Sequence, residues 1–280
     1  MRSAAKPRAI VLLALCFSYS FQARATELKQ STAEAFQHYV QLTEARMQGK
    51  VADQQHYLYF DSLPEKQKQA MLDRLHRGHV VVEQMHTTEN GEAIEIPDGL
   101  VHDWLAIAFI PGATRDQAVA LAQDYSRYAQ LYGPDVQQAQ VISQAGQHYS
   151  VYYRFHRQAV VTVVYNAEFT VDYYLPDSLR GYSIARTVRL AEVQNPGKPD
   201  EQEMPVGNDH GYMWRMNLYT RYLEKDNGVY IQVEFLALSR RVPEVFAWLV
   251  NPYLRSIPRD YLMHYLMSTR KGLAPTAAPN

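Results

Sequence analysis

An α+β fold, a curved antiparallel sheet wrapped around a long C-terminal helix with additional helices at the N-terminus, is what this sequence predicts. Three observations carry it. From Val136 onward six strand-like runs follow one another, most of them separated by turn residues. The segment from Val242 to Gly272 reads as one long amphipathic helix, in which Phe246, Leu249, Tyr253 and Ile257 form a stripe that Tyr261, Leu262, Tyr265 and Leu266 continue. The strands, read by alternation, offer one wide apolar face for that helix to lie on.

Element by element, the chain of 280 residues opens with a basic start (Arg2, Lys6, Arg8), an apolar run from Ala9 to about Phe21 and a small-x-small end at Ala23-Arg24-Ala25. That order marks residues 1–25 as a signal peptide cut before Thr26. A lipoprotein signal at Cys16 is disfavoured by Leu15, which stands where a small residue is expected. Removing residues 1–25 leaves 24 basic against 29 acidic residues, a formal charge of −5, so nothing draws the mature chain to nucleic acid or an anionic bilayer. It also removes the only cysteine, which excludes structural disulfides, thiol catalysis and thiolate metal sites. The expected location is outside the cytoplasm, in a bacterial periplasm or secreted.

Two helices follow in an N-terminal segment, 26–77. Ser31 to about Gln48 has Ser31 and Glu34 as a capping box; Leu63 to about Arg77 has Ser62 and Glu65, and closes at Gly78. His79–Thr87, Glu92–Ile96 and Leu100–Ile110 read as a short meander, with turns at Asn90-Gly91 and Pro97-Asp98-Gly99. Thr114 caps a helix bearing Ala118, Leu121, Ala122 and Tyr125 on one face, and a short helix or turn runs on to Tyr132. The six strands are Val136–Ser143, His148–Arg157, Ala159–Leu175, Tyr182–Val193, Gly211–Lys225 and Val229–Arg240. A two-residue loop at Asp226–Gly228 pairs odd with even positions in the last hairpin. Tyr212, Trp214, Met216, Leu218, Tyr222, Val229, Ile231, Val233 and Phe235 then share a face, joined by Val161, Val163, Tyr165, Phe169 and Val171, and by Tyr182, Ile184, Val188 and Leu190. Arg215, Asn217, Arg221, Gln232 and Glu234 share the other, with Arg221 and Glu234 a possible ion pair. In the closing helix Pro252 and Pro258 are expected to interrupt the backbone ladder and introduce bends, while Arg255, Arg259, Asp260 and Arg270 exclude a membrane span. The tail after Gly272, residues 273–280, is expected to be disordered.

The stretch "LSRRVPEVFAWLVNPYLRSIPRDYL" resembles the passage from last strand through a proline into the gripping helix of START lipid-transfer domains, members of the helix-grip (SRPBCC) superfamily. "GLVHDWLAIAFIPGATRDQAVALAQDYSRYAQLYGPDVQQAQVI" is similar to the superfamily's first long strand, paired helices and next strand. The resemblance covers about 78–272, as one START-like domain. It implies a helix-grip fold with a deep apolar cavity between sheet and helix, and a lipid, sterol or polyketide as the usual occupant.

The candidate ligand-binding residues are Arg186, Glu192, Trp214, Met216, Tyr222, Phe235, Leu249 and Tyr253. Arg186 falls in the apolar stripe Tyr182, Ile184, Val188, Leu190, with Glu192 following. A buried arginine must be paired, so it bonds either a ligand head group or an internal carboxylate such as Glu192. Trp214, Met216, Tyr222 and Phe235 either line a cavity or simply pack a core. Asp209-His210 invites a general-base reading, which the opposed directions of neighbouring strand residues oppose, and His76 and His79 suit neither a helix face nor a strand face as metal ligands. There is no HExxH, GxSxG or phosphate loop. The expected function is therefore an exported binding protein for a hydrophobic small molecule (lipid, isoprenoid or sterol-like), with no cofactor, no metal, no nucleic-acid partner and no integral membrane segment after signal cleavage. A cyclase or dehydratase using the same cavity, with Arg186, Glu192 or His210 as acid or base, and a cavity-free interaction module are the alternatives.

Overall fold

The computed structural model describes residues 25–53, 55–158, 162–241 and 244–274, with side chains undescribed over 242–256. Five helices are used below: α1 (Gln30–Ala52), α2 (Glu65–His76), α3 (Arg115–Gln123), α4 (Tyr128–Tyr132) and α5 (Glu244–Leu273). Among the described residues nine strands form one antiparallel sheet: β1 (Val81–Gln84), β2 (Gly99–Pro111), β3 (Val136–Ala145), β4 (His148–Gln158), β5 (Thr162–Tyr174), β6 (Arg180–Gln194), β7 (Gln202–Glu203), β8 (Arg215–Lys225) and β9 (Gly228–Arg240). Their spatial order is β1-β2-β9-β8-β6-β5-β4-β3, with β7 added to the end of β6. Thr26–Glu27 pairs separately with Asn208–Asp209, and Thr88–Glu89 with Glu92–Ala93. No helix among the described residues is long and apolar enough to cross a membrane.

The last hairpin turns on Asp226 and Asn227, both at φ 56°, with Lys225 opposite Gly228. That left-handed pair matches the twist of the flanking strands, and the register it sets places odd against even positions as expected. One face of the sheet, called the grip face here, carries Trp104, Ala106, Tyr149, Val151, Tyr153, Tyr165, Phe169, Met216, Tyr222, Ile231, Val233 and Phe235, packed with α3, α4 and the buried Leu262 and Leu266 of α5. Thr114 caps α3 as expected, accepting from the Gln117 amide while the Gln117 side chain accepts from the Thr114 N–H.

Several expectations are corrected. α1 begins at Gln30, with Lys29 as its N-cap and no side-chain cap bond, so Ser31 does not cap it. A short 3-10 turn, Tyr59–Ser62, precedes α2, whose N-cap is Pro64. α5 is helical without interruption through Pro252 and Pro258, so the prolines do not divide it into separate elements. The expected signal peptide and Cys16 lie outside the described residues, as do Val161 and positions 275–280 of the tail.

The largest correction concerns the second face. Arg215, Asn217, Arg221, Gln232 and Glu234 do point away from the grip face, yet all but Arg215 are buried, because α1 and the segment up to α2 cover them. A polar layer results. Tyr39 of α1 donates to Asp103 Oδ2 at 2.9 Å, and Arg46 of α1 pairs with Glu234. Glu44 of α1 is bonded twice by Arg186, Nε at 2.9 Å and Nη2 at 2.8 Å, and once by the Tyr219 hydroxyl at 2.9 Å. Arg221 donates to the Tyr57 carbonyl and not to Glu234. Burial, reinforced by the Glu234 charge, pushes the Asp103 carboxyl up to about 7.

Candidate functional site

Between the grip face and α5 lies a cavity lined by β4, β5, β6 and β8 on one side and by α3, α4 and α5 on the other. Its floor includes Phe155, Phe169, Val171, Ala185, Met216 and Leu218, positions that strand alternation sends to this side. Its walls are unusual in composition: eight tyrosines contribute, Tyr125, Tyr128, Tyr132, Tyr153, Tyr173, Tyr222, Tyr261 and Tyr265. The rings lock one another, with Tyr132 stacked on Tyr265 at 4.8 Å and Tyr128 edge-on to Tyr132 at 4.9 Å. Several hydroxyls are spent internally: Tyr125 and Tyr173 meet at 2.9 Å, Tyr128 and Tyr173 both donate to the Ala122 carbonyl, and Tyr132 meets Thr269 at 3.1 Å. Burial pushes the acidity constants of Tyr125, Tyr128, Tyr153, Tyr173, Tyr222, Tyr261 and Tyr265 upward, so these walls stay neutral at physiological pH. The enclosed space is about 60 Å³, room for a few water molecules and well short of the roughly 300–1,000 Å³ of a small-molecule site.

One charged group edges this lining. Asp135 accepts from Arg157 Nη1 at 3.0 Å and meets His264 Nδ1 at 2.8 Å, tying the start of β3, the end of β4 and α5 together. Its neighbours Val136, Phe155, Tyr261 and Tyr265 all line the cavity. Arg157 Nε is buried without a hydrogen-bond partner, a free donor beside an otherwise neutralised pair. Among the described residues no group of three or more His, Cys, Asp or Glu is placed to hold a metal ion, and His76 meets the Tyr230 hydroxyl at 2.7 Å.

Of the residues proposed from sequence, Met216 and Tyr222 line the cavity. Phe235 is on the grip face, 5.8 Å from the Tyr261 ring and outside the lining. Trp214 packs on the opposite side with Phe36, Tyr39 and Leu238, because it precedes β8 and escapes the strand's alternation. Arg186 also faces α1: a bulge at Val188 shifts the register between Phe169–Thr187 and Glu168–Arg189, which breaks the expected stripe. Tyr182 and Ile184 therefore fall on the α1 side with Arg186, while Leu190 and Glu192 return to the grip side. Glu192 does not meet Arg186. It receives His210 instead, through Nδ1 at 2.6 Å and the backbone N–H at 3.1 Å. The side chains of Leu249 and Tyr253 lie outside the described residues.

The sequence reading missed Asp135, Arg157 and His264. The signal for one was present: Tyr149, Val151, Tyr153 and Phe155 alternate onto the grip face, and Arg157 is the next step of the same count.

The order of helix, antiparallel strands, paired helices, further strands and a closing helix that packs on the sheet is the one the resemblance implied. No protein-family model matches the chain, and no curated protein does. Solved structures similar to this chain include a STAR-related lipid transfer protein from Xanthomonas axonopodis, at 15% identity and a TM-score of 0.44, covering 65% of this chain and 96% of that one. Human STARD10 follows at 10% identity and a TM-score of 0.44, covering 76% and 80%. An aromatase/cyclase from a Streptomyces species has 10% identity and a TM-score of 0.43, covering 61% and 93%. At such identities the likeness is one of fold alone.

Proposed function

We propose that this protein is an exported binding protein that holds a hydrophobic small molecule, a lipid, isoprenoid or sterol-like compound, between the sheet and α5. The observation that carries the reading is the neutral, tyrosine-walled cavity on the grip face. Such walls offer a large apolar and aromatic surface with hydroxyls at intervals, and no acid or base is needed for them to act. Because the enclosed space is small, ligand entry requires the tyrosine walls or α5 to move apart. Export rests on the order of basic, apolar and Ala-Arg-Ala segments before Thr26. Thr26 already pairs with Asp209, so cleavage before it would leave the first ladder of the fold complete. Intact-mass analysis of the exported chain should give a species beginning at Thr26; one retaining Met1, or lipidated at Cys16, would count against export by this route.

Native mass spectrometry of the purified protein should reveal a co-purifying lipid-sized mass. A bulkier residue at Ala185, on the cavity floor, gives the sharper test. Ala185→Phe is expected to abolish binding of a fluorescent fatty acid or sterol while shifting stability by no more than about 1–3 kcal/mol. The exposed Val188 provides the control, since Val188→Phe adds the same ring outside the cavity. Equal binding by all three proteins would rule out this cavity as the site.

A further inference from the structure

The sheet has two edges, of which one carries a long run of exposed side chains. β1 is four residues long and lies against α2 and α5, with Val81 fully buried. β3, at the other end, runs for ten residues and pairs only with β4. Its sequence, VQQAQVISQA, contains no charged residue and no proline, and all but Val136 and Ala139 are exposed. Exposed edges are ordinarily protected by lysine, proline or inward-pointing charge, so a neutral strand of this length is an open template for another strand. Two bulges, at Gln137 and Ile142, and the packing of α4 and the turn before it against part of the strand are its protection among the described residues.

The charge pattern selects the occupant. In β4 basic side chains beside this edge already have acidic partners within the chain: Arg154 with Glu201 at 2.9 Å, Arg157 with Asp135 at 3.0 Å and His148 with Asp172 at 2.6 Å. An acidic or basic peptide therefore finds no complement here. In a two-fold antiparallel pairing, by contrast, each residue faces the copy's residue an equal distance beyond the axis and those nearest the axis face their own copies, so a charge there would repel itself. A strand with none avoids that conflict. Val141, 37% exposed, lies beside the fully buried Val151 on the grip side, so a two-fold axis near Val141 would continue the apolar face from one copy to the next.

We infer that β3 is a self-association surface, on which a second copy of this chain adds its own β3 antiparallel to form one continuous sheet across a symmetric dimer. This inference stands independently of what the cavity holds.

Sedimentation velocity on the full chain over a wide concentration range tests it. The wild type should pass from monomer to dimer as concentration rises. Ile142→Lys and Gln140→Lys, both at exposed positions, should weaken dimerisation by about tenfold or more by placing like charges around the axis, with melting temperatures near wild type. Independently of any variant, amide exchange on the wild type should show β3 protection that disappears on dilution. A wild type that remains monomeric at the highest concentration overturns the inference, as does dimerisation equal in wild type and in both folded variants. A monomer whose β3 amides stay protected would point to a bound peptide and overturn it too.

Discussion

Arg46→Met is expected to destabilise the fold by about 3 kcal/mol, the lower end of what removing one partner from a buried ion pair costs, since Glu234 is buried but Arg46 is 34% exposed. Glu234 is 1% exposed, one of its oxygens has no partner, and Asp103 lies close enough to feel its charge. Methionine keeps the length of the arginine stem, so packing of α1 on the sheet is largely retained and the loss reports the uncompensated carboxylate. Urea unfolding of the variant gives the figure. The double variant Arg46→Met/Glu234→Met should recover most of the loss, because apolar residues of similar volume replace such pairs at little cost. The Glu44–Arg186 pair shares the same layer, but its carboxylate is 18% exposed against 1% for Glu234, so removing Arg186 should cost less. A single Arg46 variant as stable as the wild type would show that α1 is held by its apolar contacts alone.

Asp103 sets the second expectation, a dependence on pH. Burial and the Glu234 charge hold its carboxyl at about 7 in the folded chain against an ordinary value of 3.8. Below the ordinary value the group is protonated in both states and contributes nothing to the slope. Between about 4 and 7 the unfolded chain releases this proton while the folded chain keeps it, so the folded state binds more protons and loses stability as pH rises. Above about 7 the full penalty, a few kcal/mol, is in place. Asp209, pushed up to about 6 by burial, acts in the same direction. His102, which burial pushes down to about 4, acts oppositely, favouring the folded state as pH rises toward 6.5. The Asp103 contribution is therefore read as a difference. Asp103→Asn stays neutral and can still accept from Tyr39, so its advantage over the wild type should be small at pH 4 and should grow up to pH 7. Parallel stability–pH curves for the two proteins would mean that Asp103 is ionised throughout.

How much of this was legible in the sequence follows a physical line. The Asp226-Asn227 turn fixes the parity of the last hairpin, and parity alone assigned Met216, Leu218, Tyr222 and Phe235 to the grip face. The Thr114 cap is local chemistry and was equally readable. Arg186 was misplaced because a bulge at Val188 adds one residue to the count, and a bulge leaves no mark in apolar periodicity. Trp214 was misplaced because the strand begins one residue after it. The face bearing Asn217, Arg221, Gln232 and Glu234 looked solvent-facing for a more general reason. A polar face buried under a polar helix has the same residue types as a face in water, and only the partners Glu44, Arg46 and Tyr57, 142 or more residues away in the chain, tell them apart. A deep cavity was implied only by the resemblance, and of its tyrosine walls Tyr222, Tyr261 and Tyr265 lay on stripes read from the sequence, whereas Tyr128 and Tyr132 come from α4, five residues long and too short for a period that reveals convergence.

Strand β9 is buried at every position from Gly228 to Ser239, its even side chains under α1 and α2 and its odd ones under α5. Solvent can reach its amides only if both layers lift, so hydrogen exchange along β9 should proceed through complete unfolding, at rates set by the global free energy. The protein is thus expected to behave as one cooperative body whose α5 and N-terminal layers share a spine. A ligand that tightens α5 against the sheet would slow exchange beneath α1 as well, with no contact between them.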